Sequence, residues 1–278
     1  MGGIFIIMPF LILLTLINIQ STSLEISLLL FTVFCFFIVG FLDDFLSIIN
    51  KTNTGLKSHQ KFALQAFISS IFIYLASQND YINSIITISN NWGIDTKILI
   101  FPISFITLIG LSNAVNLTDG LDGLAAGCSS IVFCGLGTEI LLKKQPDLII
   151  FSLLCFAMSG LCMGFLKFNK YPAKIFMGDS GSLTIGAILG SISILTNSYF
   201  TLFVISGIFI IETVSVILQV GFFKITKKIF HKGRRIFLMT PIHHHYELKG
   251  LKEEKIVEIF WQINTILVIL GIVLKISF

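Results

Sequence analysis

The apolar residues of this chain fall in long runs rather than on alternating faces. Nine runs stand out, at about 3–19, 24–42, 61–77, 98–114, 123–142, 148–166, 181–196, 200–220 and 257–277. Each is close to the roughly 20 residues that a helix needs to cross a bilayer. In lipid the backbone must satisfy its own hydrogen bonds, so runs of this kind read as spanning helices. The pattern predicts an all-α fold: a polytopic integral membrane helical bundle of about nine transmembrane helices, forming one domain over residues 1–278. The first run lacks the basic leader and small-residue cleavage site of a signal peptide, and counts as a span.

Composition agrees. Of 278 residues 55% are hydrophobic and 12% charged, about half the ~25% charge of soluble domains. The five cysteines (Cys35, Cys128, Cys134, Cys155, Cys162) lie in or beside apolar runs without a CxxC pair, so neither a zinc site nor a disulfide framework is expected. Charge then tests the span count. With nine spans, fifteen of the nineteen Lys and Arg residues fall on one side, and only Lys97, Lys143, Lys144 and Lys275 on the other. The positive-inside rule makes the first side cytosolic.

Four polar stretches share that side: "GFLDDFLS", "NAVNLTDGLDG", "FNKYPAKIFMGDSGS" and "PIHHHYELKG". Asp43 and Asp44 close the second run. Adjacent carboxylates repel unless a cation is near, and Lys57, His59 and Lys61 follow. Asn113, Asn116, Asp119 and Asp122 recur every third residue, a stripe that rotates as a helix rises. Gly120 and Gly123 break it, so a helix end, a turn at Thr118–Asp119–Gly120 and a new helix near Asp122 are expected. Capping would account for Asp122 alone. Asp179 stands among small residues just before a run; Gly178 and Gly181 allow close backbone approach, and a helix N-terminus there favours phosphate. The string resembles the serine-protease "GDSGG", but nothing places a His base and buried Asp beside Ser180. Asn169, Lys170 and Lys174 add polar and cationic groups, and Phe176 offers packing or a flat stacking surface. His243, His244 and His245 follow six basic residues between Lys224 and Arg235, a setting for a polyanion or lipid headgroups.

Aspartates on a basic rim without thiol ligands suggest a hard cation, and Mg²⁺ commonly pairs one or two carboxylates with substrate phosphates. From the residues alone, the expectation is Mg²⁺-dependent phosphoryl transfer involving a lipid at the cytosolic face.

The stretches "NAVNLTDGLDGLA", "FNKYPAKIFMGDSGSL", "ETVSVILQVGFFK" and "PIHHHYELKG" resemble the phospho-N-acetylmuramoyl-pentapeptide transferases, in order and over nearly the whole chain. The wider superfamily includes N-acetylglucosamine-1-phosphate transferases; "PIHHHYELKG" favours the muramoyl-pentapeptide branch. The resemblance implies transfer of phospho-MurNAc-pentapeptide from UDP-MurNAc-pentapeptide to undecaprenyl phosphate, giving lipid I and UMP at the bacterial inner membrane, with Mg²⁺ as cofactor. It implies a homodimer and no nucleic-acid partner. Asp43 and Asp44 match the paired aspartates near the lipid phosphate, one of them the candidate base; Asp179 matches the Mg²⁺-linked aspartate, and Lys61 an active-site lysine. Asn113, Asn116, Asp119, Asp122, Asn169, Phe176 and Gly178 fall in the motifs around the nucleotide and metal cleft, where Phe176 would stack on uracil. Gln219 and His243 to His245 match groups lining the cytosolic pocket. One-step transfer and a covalent aspartyl-phosphate route both stay open.

Two departures stand out. The family pattern carries a further N-terminal span, ten in all, and a segment ending Thr-Pro-Thr-Met-Gly-Gly; this chain starts at Met1-Gly2-Gly3, as if inside that segment. Ser47 stands where a basic residue often follows the aspartate pair. The rival readings are a transporter, with polar groups at several depths, and a sister enzyme using UDP-GlcNAc.

Overall fold

Helix ends fall where the chain changes chemistry. In the computed structural model, which describes residues 1–51, 55–89 and 92–277, α1 (Ile4–Ser21) stops at Thr22, whose left-handed conformation (φ 47°) returns its N–H to Asn18 O at 2.9 Å. Ser23 then starts α2 (Leu24–Asn50), its hydroxyl accepting from Ile26 N. There follow α3 (Ser58–Gln78), a hairpin of β1 (Ile85–Thr87) and β2 (Gly93–Asp95), α4 (Ile100–Thr118), α5 (Leu124–Leu142), α6 (Ile149–Asn169) and α7 (Asp179–Leu195). The chain ends with α8 (Tyr199–Ile205), α9 (Gly207–Phe230), α10 (Ile242–Leu248) and α11 (Glu253–Ser277).

The architecture is the expected all-α membrane bundle. Among the described residues seven helices are long and apolar enough to cross a membrane. The two other expected spans are helices of a different kind. α3 carries Lys61, Gln65, Ser69 and Ser70. α7 has 17 residues, about 26 Å of rise, and is rich in Gly and Ser. Lipid never sees it: every residue from Ser180 to Leu195 is buried, with α2 and α4 packed along it. Small residues allow that approach. A Cβ on Gly186 would lie 2.3 Å from Leu111 O, and one on Gly40 only 2.2 Å from Asp179 O.

Three features differ from expectation. α2 runs to Asn50, because nothing breaks it before the left-handed Lys51, so Asp43 and Asp44 lie inside a helix rather than at its close. The run at 200–220 is two helices, α8 and α9, interrupted at Ser206, whose hydroxyl turns back to Leu202 O at 2.5 Å; the second continues to Phe230. The short antiparallel hairpin pairs Ile85 with Asp95 and Thr87 with Gly93. Thr87 Oγ1 donates to Asn197 O at 3.2 Å, fastening the hairpin to the α7–α8 turn.

The chain crosses so that the starts of α3, α5, α7 and α11 and the ends of α4 and α6 gather at one end of the bundle, with the hairpin at the other. At the hairpin end the fully buried Glu139 faces Lys143 Nζ at 3.3 Å and Lys275 Nζ at 3.9 Å. Two of the four lysines on the charge-poor side are thereby paired with an internal carboxylate. The cysteines are all free; Cys128, Cys155 and Cys162 are buried, Cys35 is half-buried and Cys134 exposed.

Candidate active site

The first turn of any helix leaves N–H groups without acceptors, and its dipole favours an anion there. In α7 the anion comes from another helix. Asp44 Oδ1 accepts from Asp179 N at 2.9 Å and Oδ2 from Ser180 N at 3.1 Å. The amides expected to receive phosphate are therefore already engaged by a carboxylate of α2. The turn into α7 needs Gly178, whose φ of 75° is unfavourable for a side chain; a Cβ there would also stand 2.7 Å from Asp44 Oδ2. Upstream, Gly2 N and Gly3 N donate to Phe176 O and Met177 O, each at 2.8 Å, and hold the approach to this turn.

Asp179, the first residue of α7, is gripped on both oxygens. Lys61 Nζ donates to Oδ2, and Asn116 Nδ2 to Oδ1 at 2.7 Å. Lys61 also pairs with Asp43 Oδ1 at 3.2 Å, an oxygen that accepts from Leu56 N at 3.0 Å as well. Carboxylates from two helices, Asp43 of α2 and Asp179 of α7, thus share one ammonium. Asp43, Asp44 and Asp179 each offer a ligand atom, all within 4.8 Å of one another, a group able to hold a metal ion.

Beside this cluster opens a polar cleft of about 390 Å³, lined by Asn116, Asp119, Asp122, Asn169, Phe176 and Asp179 among others. Asp119 follows the end of α4, where burial beside Asp179 pushes its carboxyl up to about 7; the Gly178 N–H pulls the other way. Asp122 is not a cap. The residue before α5 is Gly123 (φ 80°), without a side-chain cap, and Asp122 Oδ2 instead accepts from Ala173 N at 2.8 Å. Asn169 joins the same two segments, accepting from Gly123 N at 3.2 Å and donating to Ile175 O at 3.0 Å. Phe176 is 68% exposed on the rim, an open ring face.

The remaining expected residues sit elsewhere. Asn113 lies one turn up α4 and donates to Gln65 Oε1 at 2.6 Å, joining α4 to α3. The rotating stripe thus sends its members to different elements. Gln219 accepts from Ile236 N and Phe237 N and donates to Phe237 O, at 2.9–3.0 Å; its amide is spent on the loop before α10 and is absent from the cleft lining. His245 Nδ1 accepts from Leu238 N at 3.1 Å, and His244 meets Glu247 at 2.9 Å. His243 is fully buried against Glu212. Sequence reasoning passed over Gln65, Ser182, Glu212 and Glu253. Asn116 donates to Ser182 Oγ at 2.9 Å, and Glu253 Oε1 accepts from Asp122 N at 2.6 Å. Glu212 alone carried a signal: it is an acid inside an apolar run.

Fold and site together define a multi-pass helical membrane protein with an acidic, lysine-bridged cluster opening on a polar cleft, the equipment of a transferase acting on phosphorylated substrates. The chain belongs to glycosyl transferase family 4, whose profile matches residues 26–197. It is 72% identical to the phospho-N-acetylmuramoyl-pentapeptide-transferase of Prochlorococcus marinus subsp. pastoris strain CCMP1986, covering 100% of this chain and 77% of that protein. Proteins of the same name are 72% identical in Prochlorococcus marinus strain MIT 9515 (100% and 76% covered) and 39% identical in Synechococcus sp. strain CC9605 (99% and 79%).

Proposed function

We propose that this chain transfers phospho-MurNAc-pentapeptide from UDP-MurNAc-pentapeptide to undecaprenyl phosphate, releasing UMP and forming lipid I, on the cytosolic side of the bacterial inner membrane. The observation that carries the reading is the meeting of Asp43, Asp44, Asp179 and Lys61 at the edge of the cleft that Phe176 and Asp119 line. The names of the relatives support the substrate.

In this reading the cleft takes the nucleotide, with uracil on Phe176, and the α2 end of the cluster takes the lipid phosphate. An oxygen of that phosphate attacks the sugar-bearing phosphorus; the bond to the bridging oxygen breaks, and UMP departs with that oxygen. Asp44 is committed to α7 through both its oxygens. Asp43 has no recorded donor on Oδ2 among the described residues, which makes it the better candidate to accept or orient the lipid phosphate proton. Lys61 balances Asp43 and Asp179 and orients both. The carboxylate cluster fits a divalent ion: Mg²⁺ would be held through Asp179, supplying positive charge to the diphosphate. Assembly as a homodimer belongs to the same proposal.

The test is UMP release by purified protein supplied with Mg²⁺ and undecaprenyl phosphate. UMP from UDP-MurNAc-pentapeptide but not from UDP-GlcNAc is expected. The reverse preference moves the chain to the sister activity, and no UMP from either donor refutes the reading.

A further inference from the structure

Glu212 lies in α9 and His243 in α10, both fully buried. A carboxylate inside a spanning helix is costly unless paired, and the side-chain partner recorded for this one is the imidazole: Glu212 Oε1 faces His243 Nδ1 at 3.0 Å. Whichever of the two atoms holds the proton, this bond sets the orientation of the ring. The opposite edge of the ring lies against Gly120. A Cβ on Gly120 would fall 2.3 Å from His243 Nε2 and 2.8 Å from Cε1. Gly120 lines the cleft between Asp119 and Asp122, and among the described residues His243 Nε2 has no hydrogen-bond partner. Glu212, the imidazole and the Gly120 turn therefore form a contiguous stack, from the second turn of a spanning helix to the lining of the cleft.

We propose that Glu212 is a positioning residue of the cleft: by fixing His243 it sets the Gly120 turn, and with it the carboxylates of Asp119 and Asp122 that face the nucleotide-sugar donor. This rests on the reading that the cleft holds that donor. Packing alone does not call for such a pair, since apolar side chains of like volume fill a buried space at least as stably as an ion pair. What the pair adds is one orientation of the ring, as a buried carboxylate does for a metal-bound histidine.

The test uses the whole protein in lipid nanodiscs, with two measurements. Amide hydrogen exchange over residues 119–124 needs no substrate, and the donor KM follows from turnover. Glu212→Ala is expected to speed exchange in the turn and raise the donor KM, each by roughly tenfold or more. Glu212→Gln keeps a polar partner for Nδ1 and should bring both back to within about threefold of wild type. Because Glu212 acts through the ring, Glu212→Ala combined with His243→Ala should be no worse than His243→Ala alone. Multiplied losses in the double variant, or wild-type exchange in Glu212→Ala, overturn the proposal. Should Glu212→Ala not fold, Gly120→Ala decides. It drives a methyl group into the ring edge while leaving Glu212 and His243 themselves unsubstituted, and wild-type exchange in that variant overturns the proposal equally. Wild-type protein acting on another UDP-sugar would refute the functional reading while leaving the exchange result to judge Glu212.

Discussion

Asp44→Asn isolates what the second aspartate of the pair does. The carboxylate receives two backbone N–H groups, from Asp179 at 2.9 Å and Ser180 at 3.1 Å. Asparagine keeps one acceptor and turns an amino group toward the other N–H. One charge-assisted bond, worth about 1.5–3 kcal/mol, is lost, together with a charge–dipole term of about 0.3–1 kcal/mol. Asp44 is only half-buried, so water replaces part of this and about 2 kcal/mol remains. That corresponds to roughly a 30-fold rise in opening of the first turn of α7. Asp179 begins that turn, and turnover should fall by a similar factor. The assay pairs UMP release with hydrogen exchange at individual amides. In Asp44→Asn the amides of Asp179 and Ser180 should exchange about 30-fold faster. In Asp43→Asn those two should keep their rates while the amide of Leu56, bonded to Asp43 Oδ1, speeds up. Unchanged protection of Asp179 and Ser180 in Asp44→Asn would refute the capping role and the division of labour built on it.

Removing the ammonium with Lys61→Met leaves three carboxylates within 4.8 Å unbalanced; turnover should fall by roughly 100-fold or more, while added Mg²⁺ should raise the melting temperature more than in wild type, and an equal or smaller rise would count against a metal site there. Asp119 has a folded pKa of about 7, above its unfolded value, so the fold favours the protonated form: in chelator, its contribution to stability is complete below about pH 4 and is lost as pH rises toward 7. Melting curves across that window should lose this slope in Asp119→Asn, and an identical slope would contradict the shift. Gln219→Ala frees the backbone at Ile236 and Phe237, so limited trypsin digestion should cut after Arg234 or Arg235 faster than in wild type, with no change showing that the loop is held by other contacts.

The aspartates were legible because each interrupts an apolar run where a bland residue would serve. Their partners were not. Asp44 meets the amide of a residue 135 positions away, and Lys61 reaches an aspartate 118 positions on; no periodicity encodes such pairings. Gln219 and Asn113 show the converse. Both are polar residues in apolar runs, and both spend their amides on neighbouring backbone or side chains rather than on the cleft.

Taken alone, the sequence determined the helical membrane class, the approximate limits of most of the long apolar helices, and the end of the bundle where the polar segments gather. Those follow from hydrocarbon length and charge asymmetry, which are local quantities. Only the tertiary structure decided that α7 is a wholly enclosed helix, that the run near 200–220 breaks at Ser206, and which oxygen faces which donor. Those depend on glycine-permitted contacts between helices far apart in the chain, and a buried carboxylate takes its role from whatever group is brought within 3 Å of it.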